Sequence, residues 1–359
     1  MRVVLTGIYN ASDIRTGPEE VAVSVFREMQ KMAETFFLTK FSMLKPHSFW
    51  QKLFGLKQEG NLYYCGFLRM PFLVKKLNPD IIHGINYHPF VGLFFLLFSG
   101  SKTRLCYTVH GVVAYENSRK KYLTAYFRFS RRVTEYLVFR YAKTVYLLTE
   151  YTKKQILDYY RKSEAEYIYT INGIDPETRN AGTPMRFQEK KMRIAAVAGL
   201  MDRIYGIEIL FDALIGTGIE FELKIFGETE HLIVPAPLRG KVKIIAKVSH
   251  KDFIEELRST DLYVCLSLFE TFSISTAEAM ACGCAVLVSD KAGISNYITH
   301  NENGLIASPE NPSEIRKLIL HYYENQEELM KIGAAARSLS EMFTWGKVVR
   351  DYISGYKMV

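Results

Sequence analysis

No apolar run in the 359-residue chain reaches the 18 or more residues that a membrane-spanning helix needs; the longest is Phe90 to Phe98. No basic leader with an apolar core precedes the strand-like RVVLTGI after Met1, so a cytoplasmic location is expected. Cysteine is scarce. The five residues Cys65, Cys106, Cys265, Cys282 and Cys284 are odd in number and scattered, which argues against a disulfide framework. Cys282 and Cys284 lack the two further ligands of a zinc site and read as buried filler. Asp-x-Asp, the usual Mn²⁺ or Mg²⁺ anchor beside a phosphorylated substrate, occurs nowhere, so no metal is expected. A G-x-x-x-x-G-K-[ST] loop is also missing, which excludes a P-loop kinase. The net charge of +8 favours an anionic partner, yet no recognition motif points to nucleic acid.

What is present is an alternation of short β-branched apolar runs with amphipathic stretches, the pattern of parallel sheets covered by helices on both faces. It occurs twice. Strands are expected at 2–8, 80–85, 103–111, 143–149 and 165–171, and again at 192–200, 221–227, 241–247, 262–268 and 284–290. A Gly-, Pro- and charge-rich stretch places the hinge near 176–191. The expected fold class is α/β: two Rossmann-like, doubly wound parallel-sheet domains, 1–180 and 181–342, with a C-terminal helix at about 343–359 packing back on the first. In such a fold ligands gather at the C-terminal ends of strands, so the active site is expected in the cleft between the domains.

The segment LSLFETFSISTAEAMACGCAVLVSD, Leu266 to Asp290, reads as strand, loop, helix, turn, strand. Glu270 sits in the loop, and Ser273, Ser275 and Thr276 suit a helix start, which aims amides from about Thr271 to Ser275 at an anion. Glu278, farther along the helix, can accept hydrogen bonds from a ribose diol. For two glutamates taken alone, the favoured reading is that Glu270 caps its own helix and Glu278 is a solvated surface charge.

This segment resembles the E-x7-E motif of retaining glycosyltransferase family 4, matching it at Glu270, Phe272, Glu278, Ala279, Met280, Ala281 and Gly283. The likeness continues through Thr16-Gly17, DIIHGINYH with His83, TVHG with His110, Asn172-Gly173-Ile174-Asp175, IFGE, the Asp261 strand, Asn303-Gly304-Leu305 and Phe343-Thr344-Trp345. It implies a GT-B fold and a retaining, metal-independent transfer of sugar from a nucleotide diphosphate, most commonly a UDP-sugar, with no cofactor. By resemblance, Glu270 binds the transferred sugar, Thr271, Phe272 and Ser273 offer amides, Glu278 holds the ribose and Val248 lies beside the base. His110 approaches the sugar near C6, and Gly17 lets the backbone approach the diphosphate.

One segment departs from the pattern. Where the family has Gly-Arg-Leu and, three residues on, Lys-Gly, this chain reads GLMDRIYG: Gly199 and Gly206 align, but Leu200 replaces Arg and Tyr205 replaces Lys. Arg203 in the same loop is the candidate substitute for the missing charge. Ser273 stands where Gly is usual, which questions a positive φ there. The basic aromatic stretches 41–58 and 117–143 suit an anionic membrane surface, or are ordinary helices with aromatic faces in the core. The expected partners are therefore a nucleotide sugar and a saccharide or glycolipid acceptor, at the inner face of the cell membrane. Two alternatives stand beside the transferase: a catalytically weak GT-B subunit and a sugar-nucleotide epimerase.

Overall fold

The computed structural model describes residues 1–13, 15–44, 48–87, 89–113, 115, 125–160, 164–179, 191–199, 203–230 and 232–358. The chain divides into two units, Met1–Gly173 with Trp345–Val359, and Ile174–Thr344. The division falls a few residues before the compositional hinge.

The first unit contains β1 (Arg2–Thr6), α1 (Gly17–Met29), β2 (Glu34–Lys40), α2 (Phe49–Phe54), β3 (Leu56–Glu59), β4 (Leu62–Cys65), α3 (Met70–Leu77), β5 (Ile81–Gly84), α4 (Pro89–Phe98), β6 (Arg104–Thr108), α5 (Ala125–Tyr141), β7 (Thr144–Leu147), α6 (Glu150–Tyr159) and β8 (Glu166–Tyr169). Its strand order is β3-β4-β2-β1-β5-β6-β7-β8, parallel except for β3. Central strands such as β5 and β7 are buried throughout, as apolar runs in parallel sheets should be. The edge strand β3 is exposed at all four residues and carries Lys57 and Glu59, a charged edge that discourages further pairing.

The second unit runs α7 (Pro176–Arg179), β9 (Met192–Ala198), α8 (Ile207–Leu214), β10 (Phe221–Gly227), β11 (Val242–Ile245), α9 (His250–Arg258), β12 (Leu262–Cys265), α10 (Ile274–Ala281), β13 (Ala285–Ser289), β14 (Leu305–Ala307), α11 (Pro312–Glu324) and α12 (Gln326–Ser340). Its order, β11-β10-β9-β12-β13-β14, is fully parallel and reverses direction between β9 and β12. Asp261 is buried at the start of β12 and pins the beginning of β9 through the Arg193 backbone N–H (2.8 Å) and guanidinium (2.6 Å). That ion pair lies at the strand starts, away from the strand ends where ligands collect.

The last helix, α13 (Trp345–Lys357), belongs to the first unit. A buried polar network fastens it. His83 on β5 meets the Tyr356 hydroxyl through Nδ1 (2.6 Å) and Thr108 Oγ1 through Nε2 (2.9 Å). Thr108 donates to the Tyr352 hydroxyl (3.0 Å), and the Tyr146 hydroxyl to the Tyr352 carbonyl (2.7 Å). With Thr108 donating onward it accepts from His83, so the ring is the Nε2–H tautomer and Nδ1 accepts from Tyr356. Burial pushes the His83 pKa down to about 3, and the ring stays neutral.

Four strands, β2, β3, β4 and β14, extend the sheets beyond the segments expected from sequence. Among the described residues no helix is long and apolar enough to cross a membrane.

Candidate active site

In the second unit the reversal of strand order puts two loops side by side at the C-terminal ends of β9 and β12, where doubly wound sheets bind ligands. Their contact is direct. The Leu268 N–H donates to the Ile204 carbonyl at 2.6 Å. Gly206 has φ +69°, and a Cβ there would lie 2.1 Å from the Leu266 carbonyl oxygen, so only glycine fits. Gly199 lies under the ring of Tyr205, whose atoms would come within 2.2 Å of an added Cβ. The residue standing in for the family's Lys therefore packs a neutral ring against Gly199. Leu200 and the Arg203 side chain lie outside the described residues; the Arg203 backbone opens a short 3-10 turn, Arg203–Tyr205.

After β12 the chain forms the loop carrying Glu270, then α10. Glu270 is half-buried, and its backbone bridges to the turn after β13: its N–H donates to Lys291 (3.3 Å) and its carbonyl accepts from Gly293 (2.8 Å). Phe272 is the anchor of this loop, buried edge-on against Tyr297 and Phe343. Thr271 and Ser273 are also buried.

Ser273 occupies the residue before α10 with φ +82° and ψ +82°, so the left-handed conformation that a glycine would supply is held by a serine. Its hydroxyl does not cap the helix, contrary to the expectation for a Ser at this place. It contacts Thr276 Oγ1 (2.7 Å) instead, while Tyr263 donates to Ser275 Oγ (2.8 Å). The first-turn amides of α10 are those that Ser273 leaves uncapped, the arrangement in which a helix start receives an anion.

Glu278 is buried one turn into α10, not a solvated surface charge. Its carboxylate lies 2.7 Å from His250 Nε2. His250 is placed by the start of α9, where Ser249 caps the helix by accepting from the Asp252 N–H (3.1 Å). Val248, half-buried two residues earlier, shares this loop. The structure thus places Gly199, Val248, Glu270, Thr271, Phe272 and Ser273 on loops at the strand ends of one sheet and Glu278 on the helix that follows Ser273. His250 is an addition that sequence reasoning missed, because its meaning lies in a partner 28 residues away.

Gly17 and His110 belong to the first unit. Gly17 opens α1, whose start is fixed by the Glu19 carboxylate accepting from the Thr16 N–H (2.8 Å). The loop before it is tied to the end of β5 by Asn86, which accepts from the Ile8 N–H (2.8 Å) and donates to the Pro18 carbonyl (3.0 Å). His110 follows β6. Burial lowers its pKa to about 4, while a ring N–H bonded to the Ile85 carbonyl opposes that shift. The imidazole is neutral near pH 7, and with one nitrogen donating, the other is an acceptor. Beyond His110, the buried carboxylate of Glu135 on α5 accepts from the Val113 N–H (2.7 Å) and the Tyr160 hydroxyl (2.6 Å), holding the chain that leaves the histidine.

Comparison with known proteins follows the same division. Residues 20–178 match the Glycosyltransferase Family 4 model and residues 186–339 the model for glycosyl transferases group 1. An uncharacterized glycosyltransferase of Methanocaldococcus jannaschii is 26% identical over 219 residues, which are 59% of each chain, so the match spans about three fifths of that relative. Sucrose-phosphate synthase from Thermosynechococcus elongatus superposes with a TM-score of 0.77 at 16% identity, covering 99% of this chain and 98% of that one. The Anabaena HepE protein, solved with UDP-glucose, gives 0.70 at 15% identity, each chain covered completely. Matched by these models over both units and sharing this fold, the chain belongs to the family-4 glycosyltransferases and has the GT-B fold.

Proposed function

We propose that the protein is a retaining, metal-independent glycosyltransferase that moves a hexose from a nucleoside diphosphate sugar, a UDP-sugar foremost, to a saccharide or lipid-linked acceptor in glycan or cell-surface polysaccharide synthesis at an anionic membrane. One observation carries the reading: at the strand-order reversal the chain leaving β12 meets the Ile204–Gly206 turn and then runs through the Glu270 loop into the uncapped start of α10 and buried Glu278. In this reading the helix amides receive the diphosphate, Glu278 the ribose and Glu270 the sugar hydroxyls. HepE, a protein of the same fold, was solved with UDP-glucose. Retention follows if the departing phosphate deprotonates the acceptor hydroxyl on the face it leaves, with amides and basic side chains offsetting its charge.

Glu270→Ala is the decisive variant. Transfer from a UDP-sugar falls at least about a hundredfold while Tm is kept, as expected when a group that stabilises the transition state is removed. Unchanged turnover refutes the reading. The neutral Tyr205 over Gly199 favours a second reading, a catalytically weak relative serving as a binding subunit. It prevails if UDP-, GDP- and ADP-sugars neither raise Tm nor turn over.

A further inference from the structure

The short helix α2 buries none of its residues. Phe49 and Trp50 are each 67% exposed, their rings 5.7 Å apart, and Trp50 stacks on exposed Phe54 at 6.2 Å. A six-residue helix with three rings in water and only Leu53 half-buried gains little from tertiary burial, which is what normally sustains a helix. It is attached by the Arg69 guanidinium, which donates to the Phe54 carbonyl (3.4 Å), and by backbone bonds. The Phe67 and Leu68 N–H groups donate to the Lys52 and Leu53 carbonyls (3.0 and 2.9 Å), which sets the start of α3 against the end of α2. Leu56, Leu68 and Phe72, the last 75% exposed, also present apolar side chains to solvent.

Its charge is one-sided. Between Ser48 and Asn78 the cations Lys52, Lys57, Arg69, Lys75 and Lys76 face a single anion, Glu59, which is paired with Lys57 at 2.6 Å. A second copy of this chain presenting the same face meets like charge, so self-association there is opposed. Exposed Trp and Phe flanked by Lys and Arg suit an anionic bilayer, where rings enter the headgroup boundary and long basic side chains reach the phosphates.

We infer that α2 and the start of α3 form the surface by which this protein docks on an anionic lipid bilayer. The inference deepens the proposed function by naming the face that brings the enzyme to a lipid-linked acceptor; for that purpose it rests on that reading.

Trp50 is a built-in reporter, because Trp345, the other tryptophan of the chain, is buried. The full chain is mixed with phosphatidylcholine vesicles with and without phosphatidylglycerol. With the anionic vesicles Trp50 emission shifts to the blue and is quenched by lipids brominated high on the acyl chain. Each of Lys52→Gln, Lys75→Gln and Lys76→Gln weakens binding about fivefold. Trp50→Ser with Phe54→Ser weakens it at least about tenfold. All five side chains are exposed, so the fold tolerates the changes.

Absence of binding, equal binding to neutral vesicles, or a Trp50 still quenched by iodide on the vesicle overturns the inference. So does protection of Trp50 by self-association without lipid, which would give the face to a second copy. A UDP-induced rise in Tm on the same preparation reads the donor site separately. Vesicle binding with no response to any nucleotide would sink the transferase and leave the surface; the reverse result would sink the surface and leave the transferase.

Discussion

Acid should weaken the first unit through His83. The ring is wholly buried, its two nitrogens are committed to Tyr356 and Thr108, and its pKa is pushed down to about 3 from 6.5. The unfolded chain takes up a proton below about 6.5 and the folded one only near 3, so between those values the unfolded state binds more protons. Stability contributed by the neutral ring is fully present above the unfolded value and is lost as pH falls through this window. At pH 5, some 1.5 units below the unfolded value, the loss relative to pH 7 is about 2 kcal/mol. Both tryptophans, Trp50 and Trp345, belong to the first unit, so their fluorescence follows its unfolding selectively. Urea titrations at pH 7 and pH 5 should show wild type losing about 2 kcal/mol more than His83→Gln between the two conditions. His110 titrates in both proteins and drops out of the difference. If the two lose stability equally, His83 is not held neutral and the account of the α13 attachment is wrong.

Ser273 is held at φ +82°, so Ser273→Gly should keep stability within about 1 kcal/mol, whereas β-branched Ser273→Val should cost about 2 kcal/mol or more; equal Tm values would show that the conformation is not enforced. His250→Leu leaves the buried Glu278 carboxylate without its imidazole, and chemical denaturation should register a loss of about 1–3 kcal/mol that His250→Gln largely restores. Adding a methyl at Gly206 forces it into the Leu266 carbonyl, so Gly206→Ala should lower stability by about 2 kcal/mol or more and weaken UDP binding in calorimetry; a wild-type affinity would separate this loop from the donor site.

The doubly wound pattern is legible in the sequence because buried parallel strands read as uninterrupted apolar runs, DIIHGI, KTVYLLT and LYVCLSL among them. The edge is not. LKQE has no apolar face and forms β3 only by pairing with β4, while the three-residue β14 is set by its partner β13. Composition places a hinge by its Gly, Pro and charge, yet the units part at Gly173, where an added Cβ would strike the Trp345 backbone at 2.4 Å, a contact between residues far apart in the chain. The loop and helix carrying Glu270 and Glu278 are legible as a motif with local meaning. His250, Asn86 and Glu135 are silent in sequence for the opposite reason: each acts through a hydrogen bond to a distant element. Ser273 shows the limit from the other side, since residue type alone argues for a cap and the backbone takes a glycine-like turn.

Because α13 closes the first unit, that unit is not finished when its own sheet has been synthesised. Tyr352 and Tyr356 emerge only after residues 174–344, a wait on the order of ten seconds or more at ordinary elongation rates. Until then His83 and Thr108 lack the Tyr356 and Tyr352 hydroxyls that they bond in the finished unit. A nascent chain paused before Tyr352 would carry an open, polar-lined seam in its first unit until α13 arrives.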